Sequence, residues 1–155
     1  MPVKPNGAPS GQAKVYLQTR ANESYGRFAP EPNPQWVAYV SDESGRDEVY
    51  IQAFPEPRAK LQISSGGGRY PVWNRNGREL FFLDFDNKLM SVPLKRRADS
   101  VEKDVPRELF VVPQNAFGIE APYDVAPDGN RFLVRSPVEN GAPLHVILHW
   151  QSLLR

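Results

Sequence analysis

The chain has 155 residues, 40% apolar and 24% charged, which suits one globular domain of soluble type with its own core. A formal net charge of +1 excludes a general attraction to nucleic acid or to an anionic membrane surface. The absence of cysteine excludes disulfides, thiolate catalysis and cysteine-bound zinc, and leaves the compartment open.

In chain order, residues 1–13 combine Pro, Gly, Asn and Ser with one Lys. They lack an apolar core, so a flexible segment is expected rather than a signal peptide. No run of about 18 apolar residues follows, so no transmembrane helix and no membrane insertion is expected. Sixteen prolines and eleven glycines are spread along the chain and favour many short elements. No stretch of about a dozen residues keeps a helical period. Residues 101–112 come nearest, and Pro106 interrupts them.

"AKVYLQT" (13–19) is predicted as an isolated strand. Three similar segments follow: "YGRFAPEPNPQWVAYVS" (25–41), "YPVWNRNGRELFFLD" (70–84) and "PYDVAPDGNRFLVRS" (122–136). Each joins two apolar strands through a polar turn, with Phe28, Trp73 and Val125 at one equivalent position. Asn76-Gly77 and Asp128-Gly129 are hairpin signals, because such turns need residues that accept positive φ. The first copy has prolines there, so its turn must be built differently. A third strand follows each copy: "DEVYIQAF" (47–54), "KLMSVPL" (88–94) and "PLHVILHW" (143–150). A fourth closes the first two: "KLQIS" (60–64) and "RELFVV" (107–112), with residues 95–106 as a charged loop before the latter.

Four antiparallel strands repeated at roughly 40–50 residues are the pattern of a β-propeller blade. The expected fold is therefore all-β, a partial propeller of three blades of four antiparallel strands. Residues 14–155 would form it: 14–19 as a closing strand, 25–64, 69–112 and 121–150 as the blades, and 151–155 as a tail. The glycines of "SSGGGR" (64–69) then join two blades. A phosphate loop would need a following helix and a Gly-Lys-Ser/Thr ending, and neither is present. Three blades fall below the usual range of roughly four to eight. Two compatible explanations follow: the chain is the C-terminal part of a longer propeller, and a homodimer completes a six-blade ring with exchanged 13–19 strands.

"VAPDGNRFLV" (125–134), "QWVAYVSDESGRDEVYIQAFPEP" (35–57) and "VWNRNGRELFFLD" (72–84) resemble the TolB-like, WD-like β-propeller repeats of bacteria. The first copy departs from that pattern at "FAPEPNPQW". With the ending "LHVILHWQSLLR" (144–155), the order of copies is similar to the last blades of propellers fused behind bacterial serine/threonine kinase domains. Related repeats precede prolyl-oligopeptidase-type hydrolase domains. The resemblance implies a module that binds, senses or scaffolds, with protein or peptide partners and without catalytic residues or a cofactor. It leans toward a periplasmic or extracytoplasmic setting. An accessory domain gating a kinase or a hydrolase is the alternative.

Strand alternation puts His145 and His149 on one face, about 13 Å apart between Cα atoms, too far for one metal ion. Ser64 and Ser65 precede glycines, but no Gly-x-Ser-x-Gly elbow exists, and no kinase motif set is present. A metal-dependent lyase or lactonase would need a His/Asp/Glu cluster at strand starts, where only Asp124 stands. Asp42-Glu43 and Asp47-Glu48 read as a solvated hairpin tip. Lys95-Arg96-Arg97 is balanced along its loop by Asp99, Glu102 and Asp104. The binding candidates are Tyr25, Arg27, Arg69, Tyr70, Tyr123 and Asp124, which enter the innermost strands. Against this, Tyr70 and Tyr123 would equally serve as packing between blades. Phe28 and Trp73 beside them are expected in the core.

Overall fold

A computed structural model describes residues 12–97, 100–113 and 121–135, together with the backbone of strand 144–148. The described chain is all-β and antiparallel, in three sheets and without a helix. Among the described residues, no helix is long and apolar enough to cross a membrane.

Sheet one comprises β1 (Glu23–Phe28), β2 (Trp36–Ser41), β3 (Glu48–Ala53) and β4 (Lys60–Gln62) in that order. Sheet two comprises β5 (Arg69–Trp73), β6 (Glu79–Leu83), β7 (Lys88–Arg96), β8 (Val101–Lys103) and β9 (Arg107–Val111). Both β8 and β9 pair with β7. Sheet three runs β10 (Tyr123–Val125), β11 (Arg131–Arg135), β12 (Leu144–Leu148). The expected strands of all three copies are thus present, with two corrections. Residues 95–106 are not simply a loop, because Lys95 and Arg96 belong to β7 and Val101–Lys103 folds back on it, making sheet two five-stranded. Residues 12–22 form no strand. Two adjacent side chains of this segment, Tyr16 and Leu17, pack on sheet one instead, against Val37, Tyr39 and Tyr50.

The turns explain the repeat. The N–H groups of Ala29, Asn74 and Ala126 donate to the carbonyls of Trp36, Glu79 and Arg131, each at 2.9 Å. In the second and third copies, Gly77 and Gly129 donate back to Asn74 and Ala126 at 2.8 and 2.9 Å. Their φ values of +66° and +71° are ones that L side chains avoid. The proline-bearing first turn has no such glycine. It is tied instead to sheet two, where the Arg96 guanidinium donates to Glu31 at 2.8 Å. Burial would raise the Glu31 carboxyl, but the Arg96 hydrogen bond and charge override it and hold the group below its ordinary value.

The sheets stack face on face. Trp36, Ala38, Val40 and Ile51 of sheet one pack with Trp73, Leu80 and Phe82 of sheet two. The other face of sheet two, Phe81, Leu83 and Leu89, packs on Tyr123, Phe132 and Val134 of sheet three. A strand covered on both faces needs no polar alternation, so β2 is buried throughout. Strand β8 adds one stitch: Lys103 donates to the Ile63 carbonyl of sheet one at 2.8 Å.

The link between sheets one and two, residues 64–68, closes on a buried carboxylate. Glu48, read from the sequence as part of a solvated tip, is 2% exposed. Ser64 donates its hydroxyl to Glu48 and accepts the Val49 N–H at 2.8 Å. The Gly67 N–H donates to the same carboxylate at 2.9 Å. A Cβ on Gly67, whose φ is +103°, would lie 2.7 Å from the Phe85 ring. These glycines are a tight bend whose donor is spent on Glu48, which leaves no cradle for an external phosphate.

Candidate functional site

Strands β1, β5 and β10 lead their sheets, and the six binding candidates sit on them. Tyr25 and Tyr70 have φ of +53° and +55°. Such values are rare for bulky residues. Both lie where the pairing register slips, between Ser24 and Arg27 and between Arg69 and Val72. The bulge swings each ring out of the ladder. The two rings then meet edge to face at 4.8 Å. Tyr123 is buried, and its hydroxyl donates to the Tyr70 carbonyl at 2.6 Å. Burial, then a side-chain hydrogen bond with Tyr25, pushes the Tyr70 phenol up. Burial pushes the Tyr123 phenol up further. The three tyrosines therefore join the leading strands to one another.

Arg27 and Asp124 face solvent instead. Both line an open groove of about 550 Å³ with Phe28, Trp73, Arg75 and Tyr123 among its walls. Asp124 raises and Arg27 lowers the Tyr123 phenol, so both charges act on the groove's inner wall. The Trp73 indole N–H donates to the Arg27 carbonyl at 3.0 Å, which fixes the backbone beneath the guanidinium. Phe28 is not core: it is 58% exposed, on the groove and against Phe54, with ring centroids 4.9 Å apart. Trp73 is buried as expected. Arg69 lies outside the groove. It pairs with Asp47 at 3.6 Å and covers the Phe85 ring at 4.3 Å.

The groove thus gathers Arg27, Tyr123 and Asp124 and leaves Tyr25, Arg69 and Tyr70 elsewhere. Sequence reasoning missed Arg75, which follows the first turn residue of copy two, and misplaced Phe28. The six-residue opening after Phe28, where the other copies have a tight glycine turn, is the signal that its surroundings differ. Strand β12 carries His145 within its backbone, and His149 lies outside the described residues. Among the residues described with side chains, no three His, Asp or Glu groups converge as metal ligands. The groove offers a cation, an anion and exposed aromatic surface, a set that suits recognition of a polar chain with apolar side groups. No protein-family model matches the chain, and a search of curated proteins finds no significant relative.

Proposed function

We propose that the three sheets are consecutive blades of a β-propeller of the TolB-like kind, and that the chain is a non-enzymatic module that binds protein or peptide. The groove between the leading strands is the binding site. The observation that carries this reading is the placement of Arg27 and Asp124, exposed and opposite in charge, on the same groove as the exposed Phe28 ring. Buried Trp73 and Tyr123 hold those positions rigid, which limits the ordering cost of binding. A short extended peptide with one basic and one acidic group around an apolar residue fits this chemistry.

The test is a random peptide library panned against the purified chain, followed by fluorescence-anisotropy titration of the enriched peptides. Arg27→Ala and Asp124→Ala are each expected to weaken binding about tenfold, as loss of a hot-spot contact does. Arg58→Ala, whose side chain pairs with Glu56 and does not line the groove, is expected to leave it unchanged. Failure to enrich any peptide, or binding indifferent to Arg27 and Asp124, overturns the reading.

A further inference from the structure

The repeat gives every middle strand two sets of positions. The turn hydrogen bonds align Trp36 with Glu79 and Arg131. From there, Ala38 and Val40 of β2 pack forward onto Leu80 and Phe82 of β6. Likewise Phe81 and Leu83 of β6 pack forward onto Phe132 and Val134 of β11. Two sets remain at the ends. Sheet one's backward set, Val37 and Tyr39, is covered by Tyr16 and Leu17 rather than by a sheet. Sheet three's forward set, Arg131, Leu133 and Arg135, is exposed.

We propose that residues 12–22 are a detachable cap on the seat of a neighbouring sheet, and that the vacated seat takes the third sheet of a second copy of this chain. The inference rests on the stacking of the sheets and is independent of the groove reading.

The seat needs a cover. The Tyr39 and Tyr50 rings stack at 5.8 Å, and the Tyr39 hydroxyl donates to Gln52 at 2.9 Å, all three side chains being buried. Uncovered, they would form an aromatic patch of the kind that drives association. The cap is shallow. Tyr16 and Leu17 are only half-buried, and Val15 between them and the N-terminus is 74% exposed. It is held by the Tyr16 hydroxyl on the Ala53 carbonyl and by Asn22, whose backbone and side-chain N–H groups donate to Asp42 at 2.8 and 2.6 Å.

The forward set of sheet three is the occupant that the repeat itself specifies. Its positions are those that, in both interfaces within the chain, meet the backward set of the next sheet. Charge agrees as well. Glu23 lines the same hollow as Tyr16, Leu17, Val37 and Tyr39 and edges the seat with a carboxylate, whereas Glu43 is already paired with Lys60, which lies over the Tyr50 ring. The forward set carries Arg135 and Arg131, the latter already paired with Asp128 at 2.8 Å. Opposite edges of this kind set the register of a contact. The contact is head to tail, so it closes a ring or extends.

The test compares the full chain with its Tyr16→Ala/Leu17→Ala form by sedimentation velocity over a dilution series. The unaltered chain is expected to stay monomeric, and the uncapped form to gain mass with concentration by at least about twofold, as one added copy requires. Adding Leu133→Asp to the uncapped form should restore the monomer. A folded, monomeric uncapped chain overturns the proposal. So does association that Leu133→Asp leaves intact, or equal association with the cap in place. Near-ultraviolet circular dichroism of Trp36 and Trp73 reports folding. If that signal is lost both in the double variant and in Leu17→Ala alone, the segment is core rather than cap, and the proposal fails. Peptide binding at the groove is read separately on the same samples, so failure of one reading does not mimic failure of the other.

Discussion

Strands β2 and β11 occupy the same place in their repeats and are buried differently. Every position of β2 is buried, whereas β11 alternates exposed and buried from Arg131 to Arg135. Neither propensity nor hydrogen bonding accounts for this, since both are middle strands with partners on each side. The difference is what lies on their faces. Sheet one is covered by sheet two on one face and by residues 12–22 on the other. Sheet three is covered by sheet two on the Phe132 and Val134 face. Side-chain pattern in a stacked repeat thus reports how many faces are covered, not merely that a strand exists.

Substitutions that charge the two faces of β2 should break the comparison most severely. Ala38→Asp puts a carboxylate between sheets, at a cost of several kcal/mol, comparable with a whole domain stability of roughly 5–15 kcal/mol. Loss of cooperative urea unfolding is expected. Val37→Asp lies beneath the shallow cap, where water can reach it, and should cost about 1–3 kcal/mol. Equal losses would mean that the two faces are equally closed.

Next in size is the contrast between neighbours in β11. Phe132 is fully buried, with its ring 5.2 Å from Phe81 and 5.5 Å from Phe110. Phe132→Ala should cost about 3–5 kcal/mol in urea unfolding followed by tryptophan fluorescence. Leu133→Ala, on the open face, should stay within about 0.5 kcal/mol. Similar values for both would place a cover over Leu133.

Turn glycines sharpen the comparison further. A Cβ on Gly129 would lie 2.2 Å from the Asn74 amide, so sheet three's turn presses on sheet two. Gly45, with φ of +92°, meets nothing within 4 Å. Gly45→Ala should cost about 1–2 kcal/mol for left-handed backbone alone, and Gly129→Ala more than that. Thermal melts of the two variants would show the order, and a reversed order would contradict the packing of that turn.

The smallest effect is a pH dependence at the cap. Burial pushes the Tyr16 phenol from its ordinary 10.0 up to about 12. A raised phenol binds its proton more tightly folded than unfolded. The contribution is therefore complete below pH 10.0 and lost as pH rises through about 12. Tyr16→Phe should flatten this part of an alkaline stability profile. An unchanged profile would mean that Tyr16 is not held against Ala53.

Much of this was legible in the sequence, because apolar runs and Asn-Gly or Asp-Gly steps mark strands and turns directly. The first-copy turn was flagged by its prolines, and the Arg96–Glu31 tie is how it is built. Other features were not legible, for physical reasons. The short apolar segment at 13–19 suits an extended chain and does not say whether a strand partner exists. "VEK" at Val101–Lys103 is short, charged and mostly exposed, so no apolar period marks β8. Glu48 follows Asp47 in an acidic tip, and only the fold brings Ser64 and Gly67 to its carboxylate. Arg27 and Asp124 belong to different copies, and stacking alone puts them on one groove.

The stacking of the three sheets in chain order is tested most directly by ring-to-ring nuclear Overhauser effects. Cross-peaks are expected between Tyr25 and Tyr70, whose centroids are 4.8 Å apart across the first interface. They are expected equally between Phe81 and Phe132, at 5.2 Å across the second. Their absence, while the Tyr39–Tyr50 pair within sheet one remains visible, would contradict the stacked arrangement on which the groove and the cap both depend.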